Sequence, residues 1–152
     1  RTRGVLAPSY ALDLVAQVLD GLTDAHQVGV IHRDVKPSNV VLSADHRTAY
    51  LCDFGIAAVE SAHQHSMTFG AITPLHAPPE LIDNQRATAA SDVYSLASTL
   101  YKLVEGHAPH EGSPDDSVLV VLRRIMSDPV APPGRVPAAR QKGAPDHSVR
   151  DG

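Results

Sequence analysis

A helical run of apolar residues ends at a glycine, and the chain then sets charge where a core strand would be expected. From Ser9 to His26, the residues Leu12, Val15, Ala16, Leu19, Leu22 and Ala25 recur at the 3.6-residue spacing of an amphipathic helix, which Gly29 closes. The stretch that follows, IHRDVKPSNVVL from Ile31 to Leu42, gathers Arg33, Asp34, Lys36 and Asn39, with Pro37 stiffening the turn between them. Desolvating such groups is costly, so this stretch asks for a chemical explanation rather than a packing one.

Around it the pattern is mainly α with short β-hairpins. Val30 and Ile31 read as a short extended piece, and Val40 to Leu42 and Ala49 to Cys52 as two short strands joined by the polar turn SADHRT. Residues 53 to 80 show no sustained period, and a loop of this length in a compact domain is usually functional or disordered. A second helix is expected from Ser91, as N-cap, to Glu105, closed by Gly106. A third is expected from Ser113, with Pro114 at its first position and Asp116 placed to answer the free amides of the first turn. Beyond Met126 the composition changes: residues 128 to 152 hold five of the twelve prolines, no aromatic, and only Val among the large aliphatics. Such a segment buries too little apolar area to offset its ordering entropy, which predicts a disordered Pro/Gly/Arg-rich tail over 128–152 behind one domain over 1–127.

Composition narrows the function classes. With 4% aromatics and no Trp, a core within 152 residues must rest on Leu, Val, Ile and Ala. A net charge of -4 and a pI near 6.1 give no basic stripe for nucleic acid. Cys52 is the single cysteine, which excludes an intramolecular disulfide. Neither a signal-type segment nor a membrane segment of about 18 apolar residues is visible, so the cytoplasm is the expected compartment. The chain opens on Arg1 rather than Met and is expected to be a fragment. His63 with His65, and His107 with His110, have ligand-like spacing but no cysteine or carboxylate cluster beside them. They are expected to be solvated loop histidines rather than a zinc site.

The charged stretch supplies the groups that phosphoryl transfer needs. Asp34 is followed by Lys36 and Asn39, and Asp53 follows at the end of the second strand. One carboxylate can orient a hydroxyl, an ammonium can neutralise the moving phosphate, and an amide with a second carboxylate can hold magnesium. HRDVKPSN at 32–39, DFG at 53–55 and PPE at 78–80 together resemble the catalytic core of the Ser/Thr protein kinases, and are most similar to the bacterial type. The resemblance covers about residues 9–127 and implies the helical C-terminal lobe of that fold, with the N-terminal lobe absent. SDVYSLASTLYKLVEGHAPH stands where that family has its buried helix F.

Carried over by position, the resemblance implies ATP and Mg2+ as cofactors and a protein bearing a Ser or Thr acceptor as substrate. It implies Asp34 as the catalytic base or hydroxyl orienter and Lys36 on the transferred phosphate. Asn39 and Asp53 are implied as magnesium ligands. Val41 would contribute to the adenine floor, Cys52 would border the nucleotide pocket, and Thr73 would sit in the loop that holds the substrate. His32 and Phe54 would stack in a column anchored through Asp92, with Gly55 completing the DFG turn. Read without that context, Asp92 is a first-turn carboxylate complementing its helix dipole. Arg33 is expected as a buried guanidinium beside the base that calls for a phosphate, with Ser66 and Thr68 the favoured acceptors and Ser61 and Thr73 further candidates.

The sequence also departs from that family. It contains no GxGxxG, and its lysines are Lys36, Lys102 and Lys142, none placed as the family's strand lysine. The arginine that pairs with the family's glutamate at Glu80 has no counterpart, so Glu80 is expected to lack its partner. Ile72 stands where Gly is usual and His76 where Tyr is common. These departures keep a second class open, a kinase-like binding module that docks partners without turnover. A small-molecule phosphotransferase is a weaker third, since it would not carry Lys36 with PPE.

Overall fold

The computed structural model describes residues 5–54 and 75–134. Among the described residues four helices and one hairpin form a mainly helical body: α1 Pro8–Gln27, β1 Val40–Leu42, β2 Ala49–Leu51, α2 Pro79–Ile82, α3 Ala89–Glu105 and α4 Val118–Ser127, with a 3-10 turn at Pro37–Asn39.

Helix α1 starts at a proline, whose missing N–H would have no intrahelical partner there anyway. Its buried face is Ala11, Leu14, Val18 and Leu22, one residue per turn. It ends where Gly29, at φ 78, donates its N–H to the His26 carbonyl. Leu14, Val18 and Leu22 meet Leu96 of α3 on one side and Val35 and Ala49 on the other, which makes one aliphatic core as the composition requires. Burying each such side chain contributes about 1.5–3 kcal/mol.

The hairpin is antiparallel with Val40 opposite Leu51, Val41 opposite Tyr50 and Leu42 opposite Ala49. The strand ends at Leu51 rather than Cys52, yet the Cys52 N–H still donates to the Asn39 carbonyl at 2.8 Å. Gln17 of α1 holds the hairpin by both ends of its amide, donating to the Arg47 carbonyl and accepting the Ala49 N–H.

Two helix starts differ from expectation. Helix α3 begins at Ala89 with Thr88 as N-cap. Ser91 sits at the third helical position, where its Oγ accepts the Thr88 N–H at 3.0 Å, the reciprocal half of a capping box. Helix α4 begins at Val118 with Ser117 as N-cap. Ser113 to Asp116 form a separate turn in which Asp116 accepts the Ser113 N–H and the Arg124 guanidinium. Gly106 closes α3 as expected, in the left-handed conformation at φ 79.

His107 and His110 are buried, at 5% and 6% exposure, not solvated. The connection after α3 folds back under the helix, which sets the His107 ring edge-on to Tyr101 at 5.6 Å. Burial pushes the His110 pKa down. Among the described residues no three or more of His, Cys, Asp and Glu come together as a metal-holding group, and no helix is long and apolar enough to cross a membrane. His63 and His65 lie outside the described residues, as does the expected tail beyond Gly134. Within residues 128–134, the Gly134 N–H donates to Glu105 at 3.0 Å.

Candidate active site

The charged stretch folds into a tight cluster at the mouth of the hairpin. Asp34 Oδ2 lies 2.7 Å from Lys36 Nζ and 3.1 Å from Asn39 Nδ2. The same Asn39 amide donates to the Asp34 carbonyl at 2.8 Å. Pro37 makes this possible by opening the 3-10 turn, which brings buried Asn39 back over Asp34. The Asp34 side chain is 46% exposed, so its carboxylate is held yet still reachable from solvent.

With Nδ2 committed to Asp34, the Asn39 side chain keeps Oδ1 as its oxygen donor. Asp53 follows β2, exposed and with left-handed backbone at φ 64. An amide oxygen and a carboxylate are both hard donors of the kind magnesium takes.

His32, 1% exposed, is the rigid support beneath the cluster. Its Nδ1 accepts the Asp34 N–H at 3.2 Å and its Nε2 lies 2.8 Å from the Cys52 carbonyl, so the network requires the proton on Nε2. Phe54 packs against the His32 ring at 4.6 Å between centroids, edge to face. One imidazole thus ties Asp34 to the residues that end β2 and lead into Asp53.

Helix α3 organises the rest through two faces. Asp92, in its first turn and 1% exposed, accepts the backbone N–H groups of His32 and Arg33, each at 2.8 Å, and a third contact from His26 Nε2 at 2.8 Å. It therefore does more than complement the helix dipole. A neighbouring stripe of buried serines receives residues 75–80. Ser91 Oγ donates to Glu80 Oε1 at 2.6 Å, and Ser98 Oγ lies 2.8 Å from His76 Nδ1. Glu80, expected to lack a partner, therefore has one, a hydroxyl from α3 where the family has an arginine.

His76 is held well below the usual histidine range, at a pKa of about 4, chiefly by burial and then by the Lys102 charge. Glu111 and Asp34 oppose that shift and Lys36 adds to it, so His76 feels the charges of the cluster.

The other expected residues fall as follows. Val41 is 48% exposed on β1, and Cys52 is half-buried. Arg33 is exposed rather than buried: Asp92 holds its backbone at φ 72, and the side chain is left at the surface. Gly55, Ser61, Ser66, Thr68 and Thr73 lie outside the described residues. Sequence reasoning missed His26, Ser91 and Ser98 as partners. A single histidine or serine within a helical pattern carries no signal of a partner 11 to 66 residues away.

Comparison with known proteins accords with this geometry. The protein kinase domain family matches residues 1–137. The chain is 35% identical over 145 residues to the serine/threonine-protein kinase PknK of Mycobacterium bovis, covering 95% of this chain and 12% of that protein. It is 38% identical over 140 residues to the serine/threonine-protein kinase PkaB of Streptomyces coelicolor, covering 87% of this chain and 33% of the relative. Against PknB of Mycobacterium tuberculosis it is 36% identical over 137 residues, covering 88% and 21%. The chain thus spans a third or less of the length of these relatives.

Proposed function

This chain belongs to the protein kinase domain family, and from that premise we propose that it is the helical C-terminal lobe of a bacterial-type Ser/Thr protein kinase, which transfers the terminal phosphate of ATP to Ser or Thr hydroxyls of proteins. The observation that carries the reading is the Asp34 carboxylate, held by Lys36 and Asn39 and still open to solvent.

In this reading Asp34 orients the acceptor hydroxyl and takes its proton as the oxygen attacks the terminal phosphorus and the bond to the bridging oxygen breaks. Lys36 neutralises charge on the transferred phosphoryl group, since its ammonium already sits beside Asp34. Asn39 Oδ1 and the Asp53 carboxylate would hold Mg2+, which would supply positive charge to offset that of the phosphate oxygens. His32 fixes the Asp34 peptide, and Asp92 fixes His32, so the carboxylate is positioned before substrate arrives. Val41 contributes to the adenine floor and Cys52 borders the nucleotide pocket. Arg33, with its guanidinium at the surface, is available to a phosphate on Ser66 or Thr68.

The test is transfer from magnesium ATP to a generic basic protein, with Asp34→Asn as the comparison. Transfer that the substitution abolishes supports the reading, and transfer that survives it removes Asp34 from the chemistry. A second reading within the same family is a kinase-like binding module. On that reading this stretch alone docks partners without turnover, and partner binding independent of ATP would mark it.

A further inference from the structure

Lys102 is the single basic residue of α3, and the mechanism above gives it no part. Ser91, Ser98 and Lys102 follow one another at helical spacings of seven and four, so they share the face of α3 that receives residues 75–80. Ser98 Oγ meets His76 Nδ1 at 2.8 Å, and Lys102, one turn further on, reaches 2.9 Å to Glu111 Oε2. The same helix packs against the turn Pro37–Asn39 that carries Asp34 and Lys36 at its entry. The His76 ring stands within electrostatic reach of both ion pairs, Lys102 with Glu111 and Lys36 with Asp34. A second ion pair therefore borders the ground in front of Asp34.

The two members of that pair are not equally able to meet a ligand. Glu111 Oε2 also accepts the Ala108 N–H at 2.7 Å, so its carboxylate is pinned to the backbone behind it. The Lys102 ammonium has three N–H groups on a flexible four-carbon stem, and the bond to Glu111 takes one of them. Its side chain is 32% exposed, so an incoming group can reach it. An ion pair this open to water is weakly held, and its cation can turn to a second carboxylate at little cost. The His76 ring beside it has a pKa of about 4 and adds no charge at neutral pH. The mobile charge here is thus positive, and Lys36 adds a second cation on the side of Asp34.

We propose that Lys102 is a specificity-determining residue: its ammonium binds an acidic side chain flanking the acceptor, so that the chain selects proteins with Asp or Glu near the hydroxyl that Asp34 engages. A basic flank meets Lys102 and Lys36 as like charges, while the neighbouring acids are already engaged, Glu111 by Ala108 and Asp34 by Asn39. The proposal rests on the phosphoryl-transfer reading for the identity of its ligand. Arg33 also places a guanidinium at the surface near Asp34, so substitution at Lys102 is what assigns the preference.

The experiment uses the longest native form of the protein that contains this chain, with alanine-rich serine peptides carrying Asp, Ala or Arg at each flanking position in turn. Transfer from magnesium ATP is measured for the parent, Lys102→Met, which keeps the stem without the charge, and Lys102→Glu. At the flanking position that Lys102 reads, the parent is expected to favour Asp over Arg about tenfold in kcat/KM, and less so as salt is raised. The difference is expected in KM, with kcat within about twofold, because Lys102 touches the flank and not the reacting atoms. Lys102→Met is expected to cut the ratio to about twofold or less, and Lys102→Glu to invert it. A parent that prefers Arg, or a ratio that Lys102→Met leaves unchanged, overturns the proposal, as does a fall in kcat equal for all peptides. If Lys102→Glu does not fold, Lys102→Met carries the test, and failure of both to fold would make the pair with Glu111 structural and refute the role. Should the parent transfer no phosphate to any peptide, the phosphoryl-transfer reading fails. Fluorescence anisotropy of the same peptides, labelled, then decides the charge preference: tighter binding of the Asp peptide that Lys102→Met removes supports it, and equal or absent binding overturns it.

Discussion

Asp92 Oδ1 accepts the Arg33 backbone N–H at 2.8 Å, so a carboxylate on α3 fixes the peptide that enters the Asp34 turn. Its other oxygen accepts the His32 N–H at the same distance. Both donors are backbone groups that helix and hairpin leave unpaired, and Asp92 is their partner. Asp92→Ala would strand them, together with His26 Nε2, in a site largely shielded from water. The expected loss of stability is about 3–5 kcal/mol, the range for removing one member of a buried charged network. Urea unfolding measures it, and a loss below about 1 kcal/mol would mean that the turn finds other partners.

Arg33 itself tests the strain in that turn. A left-handed backbone costs a non-glycine residue about 1–2 kcal/mol, which glycine avoids. The greater freedom of glycine in the unfolded chain offsets part of that gain. Arg33→Gly is therefore expected to leave stability unchanged or raise it by about 1 kcal/mol, by the same unfolding measurement. A loss of more than about 1 kcal/mol would show that the exposed guanidinium makes contacts that hold the fold.

Helix periods and turn residues made much of this architecture legible. The apolar spacing from Leu12 to Ala25 located α1 to within a residue at each end, and the strand pattern located the hairpin. Helix α3 was misread by three residues at its start because Ser91 answers two tests at once: it has the chemistry of an N-cap but works from the third position. Helix α4 was misread because Pro114 and Asp116 satisfy a capping rule locally, while tertiary pairing of Asp116 with Arg124 uses that carboxylate for a turn. The motif residues Asp34, Lys36 and Asn39 are neighbours in sequence and were legible as a group. His26 and His76 were not, because their partners come from α3, and a lone histidine at the surface and a lone histidine in a network look alike in sequence. The burial of His107 and His110 was hidden for the same reason.

Glu80 and Ser91 offer a measure of how residues 75–80 are tied to α3. The 2.6 Å bond from a hydroxyl to a carboxylate is of the stronger, charge-assisted kind. Ser91 is 1% exposed, so its hydroxyl has no ready access to water. Glu80→Ala is expected to destabilise the fold by about 1.5–3 kcal/mol, and Glu80→Gln by about half as much because the amide oxygen still accepts. Thermal unfolding of the two variants side by side checks the order. Equal losses would indicate that packing, not the charge on the acceptor, holds this segment.

Asp34 should separate activity from stability. Its pair with Lys36 is partly exposed on both sides, and such pairs contribute about 0–1 kcal/mol. Asp34→Asn is thus expected to shift the urea midpoint little, by less than about 1 kcal/mol, while transfer in the proposed reaction falls by about a hundredfold or more. Circular dichroism and phosphate transfer on the same preparation make the comparison. A large drop in stability would recast Asp34 as a structural residue of the turn.

His76 gives the fold an acid limit that can be predicted in sign. Its pKa is about 4 in the folded chain against an ordinary value of 6.5, so between those values the unfolded chain binds a proton that the folded chain does not. Stability from this group is full above about pH 6.5 and is lost as pH falls through about 4. Within that window the slope approaches one proton, about 1.4 kcal/mol per pH unit. The charges that bear on the ring are Lys102 and Lys36, which resist its protonation, and Glu111 and Asp34, which favour it. His76→Gln keeps a side chain able to hydrogen-bond Ser98 but removes the titration. Urea midpoints measured from pH 4.5 to 7.5 should therefore fall steeply with acid in the parent and less steeply in the variant, by close to one proton. Parallel curves would mean that the ring escapes to solvent when it charges, and that its bond to Ser98 does not lock residues 75–80 onto α3.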